Sequence, residues 1–286
     1  MVSVVLPVFN GLPFLNAAVG SILAQSMSDF ELLVMDDGST DGSLDYVRAL
    51  QDPRVRVFSD GMNRGLVYRL NEGIAAARGR YICRMDADDI AFPERFRLQV
   101  GFLEAHPEID LIGGRALVFR TQGVVGLLPF AATHEELCAK PWDRIPIPHP
   151  TWMARRSWHL QHPYRMPETL RAEDQDLLVS AYPVSRYACL PDVLIAYRQG
   201  RYDLRKTLVA RRQLLRAQLG IFAGRGEWGH ALRACLVTML KVSVDLLAAV
   251  PAMEWLFFRR MNAGEIPDIE RMKAFIERWE VPDVEG

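Results

Sequence analysis

The 286-residue sequence contains few cysteines, almost no net charge and no long unbroken apolar run. Its four cysteines are widely separated and lack the spacing of metal ligands, which indicates reduced structural thiols in a cytosolic protein. The net charge of −1 excludes a general electrostatic attraction to nucleic acid. The longest apolar stretch, about residues 234–258, contains Lys241, Asp245 and Glu254 and is a poor transmembrane span. We expect no signal peptide, because the segment after Met1 lacks a basic n-region and a cleavage site.

Charge is distributed unevenly along the chain. Residues 201–260 contain eleven Arg and Lys against four Asp and Glu, which gives this segment +7 and the remainder −8. Because the basic residues are interspersed with apolar ones, the segment suits an anionic membrane surface or an acidic partner. Two alternatives stay open: peripheral attachment to the cytoplasmic face of a membrane, or simple packing of helices against the rest of the protein.

Three aspartates lie within four positions at the end of an apolar run, in the segment YICRMDADD at residues 81–89. Carboxylates this close raise one another's pKa unless a cation balances their charge. Asp86, Asp88 and Asp89 therefore indicate a site for a hard divalent metal ion, with coordination positions left for a phosphorylated ligand. The alternative is an acidic turn before a helix that has Pro93 in its first turn.

Strand patterns alternate with helical patterns through the first hundred residues. Strands are predicted at 2–8, 30–35, 55–58 and 80–85, separated by amphipathic helical patterns. This order predicts an α/β protein with a doubly wound sheet, in which ligands bind at the carboxyl ends of the strands. The polar clusters follow the strands directly: Asn10, Asp36, Asp37, Asn63, Arg64, Asp86 and Asp88. Residues 120–170 are predicted to be irregular, and helices are predicted at 204–219 and 231–247.

Five motifs occur in order along the chain. They are LPVFN at 6–10, VMDDGSTD at 34–41, RLNEG at 69–73, MDADD at 85–89 and AEDQDL at 172–177. Together they closely resemble the inverting, metal-dependent nucleotide-sugar glycosyltransferases of family 2, which have the GT-A fold. The resemblance covers about residues 1–200. It implies a Rossmann-like, mostly parallel sheet flanked by helices, followed here by a helical C-terminal extension.

The resemblance also implies a division of the chain. Residues 1–200 would form the GT-A catalytic domain, with 1–105 as the nucleotide-sugar half and 106–200 as the acceptor half. Residues 201–286 would form the helical extension that carries the basic segment described above.

The first motif matches the family's pattern around the nucleotide base. Pro7, Phe9 and Asn10 close the first strand there, and an aromatic ring such as Phe9 can stack on a base. The alternative for Phe9 is a plain core aromatic.

The second and third motifs supply further donor contacts by resemblance. Asp37, with Asp36 as a less certain neighbour, would accept a hydrogen bond from a base N–H. This favours uracil, and hence a UDP-sugar, or another base with a donor at that position. The alternative for both is turn and capping chemistry. Arg69 would face the nucleotide or its phosphates, and Gly73 would permit close contact between helix and sheet.

The aspartate cluster takes its roles from the same resemblance. Asp86 would reach the ribose and the water shell of the metal, and Asp88 would bind the metal, Mn²⁺ or Mg²⁺, directly. That ion would neutralise charge on the departing nucleoside diphosphate. Asp89 would support this pair or cap the following helix.

Inversion in a single displacement requires a base on the face opposite the leaving group. Asp174, in the fifth motif, is the candidate for that base, with Glu173 as the alternative or as the residue that holds Asp174 in position. An acidic helix start is the structural alternative for both. By the same resemblance, His149 would contact the diphosphate or the acceptor, with a satisfied structural histidine as the alternative. Arg198 would neutralise phosphate charge.

Functional alternatives follow from motifs that are missing. The Gln-x-x-Arg-Trp motif of processive synthases has no match, since Gln213-Leu-Leu-Arg216 is followed by Ala217. We therefore expect transfer of one sugar to a hydroxyl acceptor, a lipid-linked glycan in surface polysaccharide synthesis. A nucleotidyltransferase is the second candidate, although the early glycine-rich basic loop of that class is missing. A non-catalytic nucleotide-sugar-binding protein of the same fold is the third.

Overall fold

The computed structural model describes residues 1–120, 123–165, 171–200, 202–250, 253, 255–258, 266 and 268–279. The strands are β1 (Val2–Val8), β2 (Phe30–Asp36), β3 (Val55–Ser59), β4 (Tyr81–Arg84), β5 (Ile90–Ala91), β6 (Leu111–Arg120), β7 (Gly123–Leu127), β8 (Met153–Arg155) and β9 (Tyr187–Arg198). The helices are α1 (Leu15–Leu23), α2 (Ser43–Arg48), α3 (Leu66–Ala76), α4 (Arg95–Ala105), α5 (His134–Leu137), α6 (Arg156–Gln161), α7 (Glu173–Ala181), α8 (Leu204–Gly224), α9 (Trp228–Ala248), α10 (Trp255–Phe258) and α11 (Ile269–Glu277).

The strands form one sheet in the order β3-β2-β1-β4-β8-β6-β9-β5, with β7 paired to β6. Strands β3, β2, β1 and β4 are all parallel, as predicted. Beyond β4 the sheet is mixed, because the short strand β8 runs antiparallel to both β4 and β6 while β9 runs parallel to β6. The predicted parallel pairing therefore holds throughout the first half of the sheet and, in the second half, for the pair β6 and β9.

Close packing of α3 on the sheet depends on a glycine. A Cβ at Gly73 would lie 2.5 Å from Cγ1 of Val5, so only glycine fits without displacing the strand. This confirms the close helix–sheet contact predicted for Gly73. Since β1, β2 and β4 are parallel neighbours, their carboxyl ends lie side by side and bring three of the motifs to one edge.

Residues 120–170, predicted to be irregular, contain β7, α5, β8 and α6 in their described part. The prediction missed these elements because each has only three to six residues, too few for a hydrophobic period to be visible. β8 is three residues long, yet it joins the two halves of the sheet.

Helices α8 and α9 form a hairpin that packs on the rest of the protein by one side. Phe222 and Ala234 are fully buried in the same apolar cluster as Leu177 and Leu178 of α7. Several large apolar side chains on the other side of α9 are exposed. Among the described residues, no helix combines the length and apolar character needed to cross a membrane.

Candidate active site

The aspartate cluster lies directly after β4, at the sheet edge where ligands bind in open α/β folds. One carboxylate oxygen from each of Asp86, Asp88 and Asp89 lies within 4.8 Å of the others. Asp88 is exposed, Asp86 is half-buried and Asp89 is buried, so the cluster extends from solvent into the protein. The structure thus brings the three predicted ligands together.

Electrostatics at this cluster favour a cation. The loss of water around its carboxyl and repulsion from Asp86 raise the pKa of Asp88 to about 6. Burial, together with the charges of Asp86 and Asp88, raises the pKa of Asp89 well above its ordinary value. Within the described residues, the buried Oδ2 of Asp89 has no hydrogen-bond partner. A set of three carboxylates with one unsatisfied buried oxygen fits Mn²⁺ or Mg²⁺.

Arg84 is a site residue that the sequence analysis missed. It is the last residue of β4, it is 5% exposed, and its guanidinium forms an ion pair with Asp86. Its charge also acts on Tyr164 and Glu173, which places it between the aspartate cluster and the start of α7. An arginine inside an otherwise apolar strand, two residues before an acidic motif, was the available signal.

Arg198, at the end of β9, is tied to the same cluster. Its backbone N–H donates to Asp89 Oδ1 at 2.8 Å, and its Nε donates to the Asp88 carbonyl at 3.1 Å. The guanidinium lies over the rings of Phe14 and Phe119, 4.1 and 4.5 Å from their centroids. These contacts hold a positive charge beside the aspartates.

Glu173 begins α7 and faces a buried histidine. Nδ1 of His149 lies 3.7 Å from Glu173 Oε1, and its Nε2 is hydrogen-bonded to the Tyr164 hydroxyl at 2.7 Å. Burial, followed by the charge of Arg84, lowers the pKa of His149 to about 3, so the imidazole is neutral at physiological pH. Tyr164 is fixed in turn, because its backbone N–H and C=O form hydrogen bonds with the side-chain amide of Asn71 on α3.

Asp174 points elsewhere. It is half-buried and lines two small cavities, of about 260 and 120 Å³. Burial and the neighbouring charge of Glu173 raise the pKa of Asp174 above its ordinary value, which suits a group that must accept a proton. Glu173 therefore lies against His149, whereas Asp174 lines the two cavities.

The first motif presents exposed side chains at the same edge of the sheet. Phe9 follows β1 directly and is 53% exposed, so it is not a core aromatic. Asn10 adopts a left-handed conformation with φ of 51°, and its Oδ1 accepts a hydrogen bond from Thr40 N at 2.8 Å. Pro7 lies within β1, beside Met35 of β2. The ring of Phe9 is therefore available to a planar ligand.

Asp36 and Asp37 are buried and already have hydrogen-bond donors. Asp36 accepts from the backbone N–H groups of Gly38 and Ser39 and from the Ser59 hydroxyl. Asp37 accepts from the backbone N–H groups of Arg64 and Gly65, just before α3. Both carboxylates shape the loops at this edge, as in the turn and capping alternative, and a contact between Asp37 and a base stays a prediction.

Arg69 is buried beneath the loop before α3. It is 0% exposed, and its guanidinium donates to Asp37 Oδ1 at 3.0 Å and to Glu72 Oε2 at 2.8 Å. It also donates to a carboxylate oxygen of Asp60 and to the Met62 carbonyl. These contacts fix Asp37 and the loop before α3, and a contact between Arg69 and the nucleotide stays a prediction.

Replacement of Arg69 by Met is expected to lower the free energy of unfolding by about 3–5 kcal/mol, because the buried Asp37 carboxylate would lose its countercharge. Urea denaturation followed by circular dichroism measures this change. Arg80→Gln is the matched control, since its ion pair with Glu104 is 63% and 48% exposed and is expected to contribute at most about 1 kcal/mol. Equal effects of the two substitutions would contradict the prediction.

Comparisons with known proteins agree with this geometry. The family model described as "Glycosyl transferase family 2" matches residues 3–161, more than half of the chain. The chain belongs to this family. The resemblance seen in the five motifs is thereby confirmed.

Two members of the family illustrate the relationship. EpsE of Bacillus subtilis (strain 168), a candidate glycosyltransferase by name, is 37% identical over 183 residues, covering 62% of this chain and 64% of EpsE. The succinoglycan biosynthesis protein ExoO of Rhizobium meliloti (strain 1021) is 35% identical over 136 residues, covering 45% of this chain and 39% of ExoO. The matches thus span less than two thirds of each of these relatives.

A solved structure shows the same fold. The mannosyltransferase PcManGT from Pyrobaculum calidifontis, in complex with GDP-Man and Mn²⁺, superposes with a TM-score of 0.61 at 17% identity. The match covers 97% of this chain and 79% of that one. The predicted fold class, an α/β GT-A sheet with flanking helices and a helical C-terminal region, is confirmed.

Proposed function

We propose that the protein is a metal-dependent, inverting glycosyltransferase that moves one sugar from a nucleotide-sugar donor to a hydroxyl acceptor. The observation that carries this proposal is the arrangement of its carboxylates. Asp86, Asp88 and Asp89 form a cation site at one edge of the sheet, and Asp174 lines separate cavities at the start of α7. A single-displacement transfer needs this separation of leaving-group site and base.

On the donor side, the residues bind and orient the nucleotide sugar. Phe9 stacks on the base, Asp37 contacts the base edge, and Asp86 reaches the ribose. Arg198 holds positive charge near the diphosphate. Asp88 and Asp86, with Asp89 in support, would hold Mn²⁺ or Mg²⁺, which would neutralise charge on the leaving nucleoside diphosphate. We favour UDP as the nucleotide, although PcManGT was solved with GDP-Man.

On the acceptor side, Asp174 takes the proton of the attacking hydroxyl. Its raised pKa makes it a better proton acceptor than an ordinary aspartate. Glu173, His149 and Tyr164 position the start of α7, and the neutral state of His149 means that it carries no charge to compete with the base. Attack from the side opposite the leaving group inverts the configuration at the sugar carbon.

Release of nucleoside diphosphate tests this proposal against its alternatives. The protein is incubated with a panel of nucleotide sugars, Mn²⁺ and acceptor sugars, and the products are separated by chromatography. The proposal predicts nucleoside diphosphate and a glycosylated product with inverted anomeric configuration. Release of pyrophosphate would instead identify a nucleotidyltransferase. Saturable donor binding without any product would identify a non-catalytic binding protein.

The acceptor in this proposal is a lipid-linked glycan of surface polysaccharide synthesis. The relative ExoO is named for succinoglycan biosynthesis, which supports a role in polysaccharide assembly. We further propose that residues 1–200 form the catalytic domain and 201–286 an extension that holds the enzyme at the cytoplasmic face of a membrane. Arg201, Arg259 and Arg260 of the basic segment lie outside the described residues.

The exposed side of α9 supports this attachment. Its apolar residues recur at intervals of three and four positions, so they lie along one face of the helix. We name these residues the α9 stripe: Trp228, Leu232, Leu236, Met239, Leu240, Val244 and Leu247, each between 39% and 68% exposed. Exposed basic residues of the neighbouring α8, Arg205, Lys206, Arg212 and Arg216, add positive charge. An apolar face with basic neighbours is typical of helices that lie on anionic membranes.

Substitution of Leu236 and Leu240 by Glu is expected to weaken binding to phosphatidylglycerol-containing vesicles by about tenfold or more, because two apolar side chains would no longer enter the bilayer. Flotation of the protein with these vesicles measures binding. Val184→Glu is the control, since Val184 is 76% exposed but lies outside the α9 stripe. Unchanged flotation of the double variant would contradict membrane attachment through the α9 stripe and would favour the alternative that the hairpin only packs against the rest of the protein.

A further inference from the structure

Three cavities on the acceptor side share one arginine. Arg144 lines the cavities of about 260 and 120 Å³ that contain Asp174, and it also lines a larger one of about 590 Å³. The larger cavity lies against α9. Part of its wall is apolar, with Leu240, Val244 and Leu256, and part carries the charged residues Asp143, Arg211, Lys241 and Asp245. Arg144 therefore borders both the cavities that contain the proposed base and a larger cavity with a partly apolar wall.

The charged neighbours of Arg144 are already paired. Arg211 donates to Asp245 Oδ2 at 2.9 Å, and Lys241 forms an ion pair with Asp143. For Arg144 itself, the described part of the chain offers no ion pair and no side-chain hydrogen bond within the usual distances. Burial lowers the pKa of Arg144, and the nearby carboxylates of Asp143, Asp174 and Asp245 offset this shift only in part, so the charge of Arg144 is incompletely compensated.

An incompletely compensated arginine in a cleft is costly unless a ligand balances it. The planar guanidinium suits the oxygens of a phosphate, which it binds through paired charge-assisted hydrogen bonds. Asp174 occupies the same small cavities, so a molecule whose hydroxyl reaches Asp174 also passes Arg144. The apolar walls beyond Arg144 include two members of the α9 stripe, Leu240 and Val244, and they suit a hydrocarbon chain.

We propose that Arg144 binds a phosphate group of the acceptor, placed between the sugar that reacts at Asp174 and an apolar chain that follows α9. This inference rests on the proposed glycosyltransferase function and specifies its acceptor as a sugar joined to a lipid through phosphate. Arg144 is thus a specificity-determining residue, and Arg211 widens the positive region while remaining paired with Asp245.

Acceptor kinetics test the proposal. Each sugar of a panel is presented in two forms, as a neutral octyl glycoside and as a phenoxyundecyl diphosphate, and nucleoside diphosphate release is measured. Arg144→Gln is expected to raise KM for the diphosphate-linked form about tenfold, the effect of losing one charge-assisted hydrogen bond, with kcat unchanged. KM for the neutral glycoside should not change. Arg144→Lys should restore part of the affinity, which also keeps the test valid if the Gln variant folds poorly.

Controls separate this inference from the function on which it rests. Arg97→Gln, at an exposed position of α4 outside the basic segment, should leave both KM values unchanged. If Arg144→Gln raised KM equally for both acceptors, or for neither, the phosphate-binding role of Arg144 would be wrong while the proposed glycosyltransferase function would stand. Stimulation of the neutral acceptor by inorganic phosphate, lost in Arg144→Gln, would assign the site to free phosphate instead. Failure of the unmodified protein to turn over any donor would overturn both proposals.

Discussion

Replacement of Asp174 by Asn is expected to lower kcat for sugar transfer by about 10²–10⁴-fold, the usual contribution of a general base. The amide keeps the size of the side chain but cannot accept the proton of the acceptor hydroxyl. Donor binding should be unchanged, because the proposed donor site lies at the aspartate cluster. Single-turnover assays of nucleoside diphosphate release, with the donor dissociation constant measured separately, distinguish the two effects.

The pH profile gives a second readout of the same residue. The base acts in its deprotonated form, so the rate should fall as the pH drops through the raised pKa of Asp174. Titration of His149 does not contribute to this fall in rate at acid pH, because its pKa is lowered to about 3. Glu173→Gln is the matched control, and it should retain the acid limb with a smaller loss of kcat. A larger loss of kcat in Glu173→Gln than in Asp174→Asn would identify Glu173, and not Asp174, as the base.

Replacement of Asp88 by Asn is expected to lower kcat/KM by about 10³-fold, since metal stabilisation of a leaving group contributes several kcal/mol. Chelation of divalent ions should reduce the rate of the unmodified enzyme to a similar level and have little further effect on the variant. The metal-free variant should not melt at a lower temperature, because the substitution removes one of three mutually repelling charges. Rate assays with graded Mn²⁺ and thermal melts measure these effects.

Asp192→Asn is the control for this experiment, since Asp192 is exposed and precedes the last part of β9. It should leave the metal response unchanged. Full activity of Asp88→Asn at low Mn²⁺ would remove Asp88 from the metal site. Loss of folding in the metal-free variant would instead show that the cluster is a structural turn.

The sequence was most informative where backbone geometry alone positions a residue. Parallel strands end at one edge, so the strand patterns were enough to bring Phe9 and Asp86 to the same region of the fold. The spacing of Asp86, Asp88 and Asp89 within one turn likewise required no long-range contact. Gly73 was predictable because only one residue type permits such close packing.

Residues whose roles depend on distant partners were harder to predict. Arg69 has the spacing of a donor-binding arginine, but Asp37 and Asp60, from other loops, surround its guanidinium. Arg84 and Arg144 belong to no motif, and their positions become meaningful only when α7 and α8 are packed nearby. The mixed second half of the sheet depends on β8, whose three residues carry no periodic signal.

The paired hydrogen bonds between Asn71 and Tyr164 have a consequence for protein engineering. They join α3, in the proposed nucleotide-sugar half, to the proposed acceptor half, and Tyr164 is in turn hydrogen-bonded to His149. A chimaera that exchanges residues 106–200 for those of a relative must therefore keep residues that form these hydrogen bonds at the positions of Asn71 and Tyr164. Without them, the two parts of the chimaera would each fold correctly but pack in the wrong relative orientation.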